Sequence, residues 1–193
     1  MALNKGAVLV GTADQQTTGA IAKAPIGTAL PTDATTALGT GFVSGGYVSE
    51  NGLSLTPEYS TVDIREWNGG LVRRLKQSFD GTLSWEMLQT DAESMKTAFG
   101  DGNVTVTAAD TTHGNRMAIQ LGKDLPERAS WAFNMKDGTN RVRIVVPDGQ
   151  ITTVGEVSFT SSAAVIWPVT LSTSPDETGV NLYIDTDDGV LTL

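Results

Sequence analysis

"SENGLSLTPEYSTVDIREWNGGLVRRLKQSFDGTLSWEML" spans Ser49–Leu88, and its reading decides the fold. Apolar and polar residues alternate along most of it, the pattern of half-buried strands. Asn51-Gly52, Asn68-Gly69-Gly70 and Asp80-Gly81 punctuate it. Such pairs mark hairpin turns, because glycine reaches left-handed backbone conformations at no steric cost. The stretch therefore reads as four strands, Leu53–Pro57, Ser60–Trp67, Leu71–Ser78 and Thr82–Gln89. At Asp80-Gly81 a two-residue loop would set Trp85 against Lys76. A three-residue loop, Phe79–Gly81, sets Leu75 against Trp85 and Arg74 against Glu86, and is the expected register.

The same punctuation continues at Asp137-Gly138, Asp148-Gly149 and Asp188-Gly189. Further strands are expected at Val104–Ala108, Arg116–Leu121, Arg128–Lys136, Thr139–Val146, Ile151–Thr160, Trp167–Thr173 and Val180–Asp185. A two-residue loop at Asp137-Gly138 pairs Phe133 with Val142 and Trp131 with Ile144, and Asn134 with Arg141 on the opposite face. One helix interrupts the strands. "TDAESMKTAFG" opens on Thr90 with Glu93 three residues later, a capping box. Ala92, Met95 and Phe99 share a face, and Gly100 ends the helix. The fold class is mainly β: an antiparallel β-sandwich or rolled barrel, with one short flanking α-helix at about 91–99.

Residues 11–46 differ from the rest. They hold eight Thr, seven Ala and seven Gly, with one aromatic residue and three charges. Such a stretch has little to bury and much backbone entropy to lose. It reads as a long N-terminal loop or flexible arm on a single domain spanning 1–193, ordered when a neighbour arrives.

Composition narrows the function. There are 193 residues, 39% of them hydrophobic, enough for a core without disulfides. No cysteine is present, which removes disulfides and thiolate chemistry together. Residues 1–30 hold no apolar run with basic flanks, and no segment has the roughly 20 apolar residues that span a bilayer. The net charge is −9, unfavourable for gripping nucleic-acid phosphates.

No catalytic constellation emerges. His113 is the only histidine and sits in a turn-like run, so a His-based triad or multi-histidine metal site has no partner. "DTDDGVLTL" at Asp185–Leu193 has glycine at the fifth position, where a calcium loop needs it at the sixth. Gly39, Gly41, Gly45 and Gly46 lack dinucleotide or P-loop spacing. Glu50, Glu58, Asp63 and Glu66 are acids of the kind any strand-rich acidic protein offers. Arg65, Arg73, Arg74 and Lys76 form the one basic cluster, without the interleaved aromatics of a single-strand binder. Neither a catalytic nor a cofactor site is expected. The Leu71–Gln89 stretch has no clean solvent side, since both faces mix apolar and charged residues. That suits strands with one face on the core and one on another subunit; an edge hairpin with exposed apolar residues gives the same pattern.

The order of "GAVLVGTADQQTTGAIAKAPIGTALPTDATTAL", "GGYVSENGLSLTPEYSTVDIREWNGGLVRR" and "SFDGTLSWEMLQTDAESMKTAFG" resembles the major tail tube proteins of bacteriophages with long, non-contractile tails. The resemblance covers roughly the first hundred residues. It implies a fold shared with tube proteins of contractile tails and type VI secretion. It further implies a virion tail protein, assembled in the host cytoplasm, that self-assembles into stacked hexameric rings with an acidic lumen. Its implied partners are its own copies, a tape-measure protein, a tail terminator and a distal tail protein. DNA would transit the lumen without specific binding, and no membrane or cofactor is involved. The alternative is another structural β module of a virion, a capsid decoration or baseplate protein.

On this reading Ile64, Trp67, Leu71, Arg73 and Arg74 are the subunit-interface candidates. Glu86 and Glu156 are the lumen candidates, chosen because each is an acid expected within a strand.

Overall fold

The computed structural model describes residues 8–14 and 19–191. The long hairpin comes first in importance. Strand β4 (Val48–Arg65) and strand β5 (Leu71–Met87) run antiparallel over nearly their whole length. The four strands expected between Leu53 and Gln89 are thus two, and their turn lies at Glu66–Gly70. Asp80-Gly81 is no turn, and Leu75 faces Val62 rather than Trp85. Gly81 serves a different purpose: a Cβ there would meet Thr173 Oγ1 at 2.7 Å and Phe79 Cε1 at 3.1 Å. The glycine admits a close neighbour to a strand that runs straight through.

The remaining strands are β1 (Thr12–Ala13), β2 (Ile21–Pro25), β3 (Val43–Ser44), β6 (Val104–Thr107), β7 (Arg116–Ile119), β8 (Ala129–Asp137), β9 (Asn140–Val154), β10 (Trp167–Ser174) and β11 (Tyr183–Asp187). The main sheet is ordered β3-β2-β8-β9-β10-β5-β4, with β1 on β8 and β11 on β9, and β6-β7 form a separate pair. Asp148-Gly149, expected as a turn, also lies inside a strand. A Cβ on Gly149 would press on Leu171 and Val146 at 3.1 Å. The β8–β9 turn sits one residue later than expected, at Gly138-Thr139, and pairs Phe133 with Ile144 and Asn134 with Arg143. The shift moves each partner by two residues, so the faces are as expected.

The sheet rolls onto itself. Trp85 on β5 lies 5.6 Å from Trp131 and 5.4 Å from Phe133 on β8, centroid to centroid. In a flat sheet, strands three places apart would stand about 14 Å from one another. These three rings, with Leu83, Met87, Ile151, Val169 and Leu171, form the core. Full burial of each large apolar side chain contributes on the order of 2–3 kcal/mol.

Helix α1 (Ala92–Phe99) closes the core with Met95, Ala98 and Phe99. Its N-cap is Asp91, whose carboxylate accepts from Ser94 N at 2.8 Å, not Thr90. Thr90 Oγ1 instead accepts from Trp167 Nε1 at 3.0 Å, and Glu93 pairs with Lys96. Gly100 ends the helix at φ 89°, as expected.

Within 11–46, Ile21–Pro25 is built into the sheet beside β8. Phe42 then folds back over Ala22, Ala24 and Ala132, and the small side chains allow the close approach. Arg143 ties the loop down, its Nη1 donating to Asp33 O at 2.8 Å and Thr36 O at 2.7 Å.

Candidate assembly surface

β10 pairs with β5 only from Thr82 onward. Below that level β4 and β5 continue alone, so 58–65 and 71–80 form a two-stranded ribbon projecting from the body. Nearly every side chain on it is exposed. At the tip Glu66 N donates to Gly70 O (2.9 Å) and Gly69 N to Glu66 O (2.8 Å), with Gly69 at φ 85°. That backbone favours glycine.

A bulge at Gln77 re-aims the ribbon. Beyond it Lys76 turns to the side of Tyr59 and Phe79, its Nζ 5.8 and 5.6 Å above the two rings. Thr61, Asp63, Arg74 and Lys76 occupy that face, whereas Val62, Ile64, Arg73 and Leu75 occupy the other. The hydrogen bonds from Arg74 hold the Asp63 carboxyl below the usual carboxylate range.

All five interface candidates fall on this ribbon. Ile64 and Arg73 are register partners, Trp67 is fully exposed in the turn, and Leu71 pairs with Arg65. Arg74 is committed to Asp63. Tyr59, Val62, Val72 and Leu75 are exposed apolar neighbours outside the five candidates. Reading 49–88 as one hairpin would have found them by alternation.

A second surface lies on the outward face of β4, β5, β10 and β9. Ser54, Ser84, Thr170 and Thr153 stand in one row across the four strands. Thr56, Thr82, Ser172 and Gln150 form the next. Neither row holds a cation or a large apolar residue. Glu86 borders them, opposite Pro168. Its carboxylate accepts from Ser49 Oγ at 2.6 Å and Asn51 Nδ2 at 2.9 Å, which holds its pKa below the ordinary value. Glu156, expected within a strand, lies in the loop after β9, which ends at Val154. It follows Gly155, whose N–H donates to Pro168 O at 2.8 Å, and no partner strand carries the ladder further.

Among the described residues, no three His, Asp or Glu side chains gather into a metal-binding group. His113 is exposed and hydrogen-bonded to Thr112 at 2.8 Å. Charge, hydroxyls and apolar side chains are spread over faces and edges among the described residues. Residues 1–186 match the model of the family described as "Phage tail tube protein". The chain belongs to that family and is a structural protein of the virion tail.

No curated protein matches the sequence. Among solved structures, the chain is similar to the tube-terminating cap of the anti-feeding prophage, at 14% identity and a TM-score of 0.44, over 94% of this chain and 95% of that one. It is also similar to the sheath/tube terminator of the PVC extracellular contractile injection system, at 14% identity and a TM-score of 0.43, over 70% and 84%. A chain from the tail of an empty gene transfer agent particle gives 11% identity and a TM-score of 0.41, over 81% and 90%.

Proposed function

We propose that this chain is the major tube subunit of a long, non-contractile tail. Six copies close into a ring, and rings stack around a tape-measure protein between a distal tail protein and a terminator. After the tape-measure leaves, DNA passes through the bore.

The projecting ribbon carries this reading. A two-stranded ribbon with exposed apolar side chains on both faces is marginal alone in water and gains from a neighbour. Ile64, Trp67, Leu71, Arg73 and Arg74 are the contact residues toward the next copy. A head-to-tail contact of this kind closes into rings when its rotation divides the circle. The hydroxyl-lined face, with Glu86 and Glu156 beside it, faces the bore. A wall without cations gives phosphates nothing to grip, so DNA slides past.

Electron microscopy of the concentrated chain tests the proposal. Hollow tubes or stacked rings are expected. Monodisperse particles at every concentration would overturn it in favour of a decoration or baseplate module.

A further inference from the structure

We infer that Asn68, at the tip of the ribbon, is a self-modifying site: its side-chain amide is converted to a carboxylate in the dispersed chain and is protected once copies dock. The chemistry stands by itself, and only the protection rests on the tube reading above.

The sequence has two Asn-Gly pairs, Asn51-Gly52 and Asn68-Gly69. Before glycine, the next backbone nitrogen can approach the asparagine amide carbon, because no Cβ stands in the way. Both glycines are uncrowded, with φ of 68° at Gly52 and 85° at Gly69. The two asparagines differ. Asn51 Nδ2 donates to Glu86 Oε2 at 2.9 Å, and Asn51 N donates to Ser49 Oγ at 3.3 Å. That amide is tethered, and the carboxylate beside it opposes the negative charge that the reaction develops. Asn68 is exposed, and its side chain forms no hydrogen bond among the described residues. Arg65 Nη1 donates to Gly69 O at 3.0 Å, which places a cation in the same turn.

The step moves the side-chain acyl carbon from one nitrogen to another. Gly69 N bonds to Asn68 Cγ and gives up its proton to water. The Cγ–Nδ2 bond breaks, and Nδ2 takes a proton from water and leaves as ammonia. One water then opens the cyclic imide, giving aspartate or, through the other carbonyl, isoaspartate. Nothing is oxidised or reduced.

The state of the turn controls this step. Gly69 N–H donates to Glu66 O at 2.8 Å, so the nitrogen is free to attack only when the turn opens. A two-stranded ribbon is marginal alone in water, and opening at its tip costs little. Trp67, fully exposed next to Asn68, belongs to the part of the ribbon that a neighbouring copy would cover. Docking then holds the turn shut. The product also alters the contact. Arg65 and Glu66 balance each other at the tip, and a carboxylate at 68 leaves it negative in a chain already at −9. Like charges brought together at an interface oppose association. Chains left dispersed thus lose the ability to join, whereas built tubes are preserved.

Dispersed and assembled chain are incubated at mildly alkaline pH and digested with trypsin, which releases Glu66–Arg73 as one peptide. Mass spectrometry should show amide-to-acid conversion at Asn68 at least about fivefold faster than at Asn51, and at least about tenfold slower in tubes than in dispersed chain. Asn68 lacks a positive φ, so other side chains fit its backbone. Asn68→Gln should remove the conversion from that peptide, and freshly purified Asn68→Asp should grow tubes at least about threefold more slowly than the parent. Conversion at Asn68 no faster than at Asn51 would overturn the site. Equal conversion in tubes and dispersed chain, or parental growth of Asn68→Asp, would overturn its link to assembly. If the parent forms no tubes, the tube reading falls, while the comparison of Asn68 with Asn51 still decides the site.

Discussion

Asp63 and Arg74 face each other across the ribbon, and the guanidinium grips the carboxylate with Nε–Oδ1 at 2.7 Å and Nη2–Oδ2 at 3.2 Å. Arg73, one residue away, lies on the opposite face against Ile64, and no ion pair forms on it among the described residues. Two adjacent arginines thus differ in kind. Arg73→Glu should abolish tube growth while leaving the melting temperature within about 2 °C of the parent. Arg74→Glu should also loosen the ribbon itself, visible as faster proteolysis between 60 and 78. Calorimetry and limited proteolysis separate the two. Equal proteolysis of both variants would contradict the assignment.

Trp67→Ala should leave folding untouched, because the side chain is fully exposed. Tube growth, followed by light scattering, should fall at least about tenfold, in keeping with a truncated aromatic anchor at an interface. Tubes growing at the parental rate would remove Trp67 from the contact.

Phe42→Ala should cost about 3 kcal/mol, a fall of roughly 6–12 °C in melting temperature. The ring is buried on Ala22, Ala24 and Ala132. Thermal unfolding of the unassembled chain measures this directly. A loss below about 0.5 kcal/mol would mean that the 26–42 loop is dispensable to the body.

Gly81→Ala should destabilise by about 1–3 kcal/mol, since the new methyl would sit 2.7 Å from Thr173 Oγ1. Gly114→Ala is the control, with nothing within 4 Å of the added carbon. Denaturant unfolding of both variants compares them.

Acid should weaken the β4–β5 hairpin at both ends. Folding lowers the pKa of Asp63, through its bonds to Arg74, and of Glu86, through Ser49 and Asn51. Their stabilisation is therefore complete above the ordinary carboxylate range, about pH 4, and is lost as the pH falls below it. Tubes intact at pH 7 should shorten near pH 3, and Asp63→Asn with Glu86→Gln should flatten that response. Lengths measured by microscopy across the range check it.

Much of this architecture was legible in the residues. Alternation found the β character, and Met95 and Phe99 found the helix and its buried face. Asn68-Gly69-Gly70 marked a real turn, because nothing crowds Gly69 and its φ is positive. Asp80-Gly81 and Asp148-Gly149 look the same on paper, yet their glycines make room for Thr173 and for Leu171. Those neighbours come from β10, far along the chain, so local reading had no means of weighing them. Thr90 was expected as the cap, but its hydroxyl accepts from the indole of Trp167 and Asp91 caps the helix instead. The five interface candidates landed on one ribbon because exposed apolar and basic residues in alternation are a local signal. The hydroxyl rows were not visible, since they exist only once four strands are in register.

Trp67 has one more consequence. Of the four tryptophans, Trp85 and Trp131 are sealed inside and Trp167 is half-buried, so a single indole stands wholly in water. Its fluorescence should be red-shifted and open to quenching by iodide in the dispersed protein. Joining of copies would then register as a blue shift and a loss of quenching, giving a label-free optical clock for polymer growth that is native to the molecule.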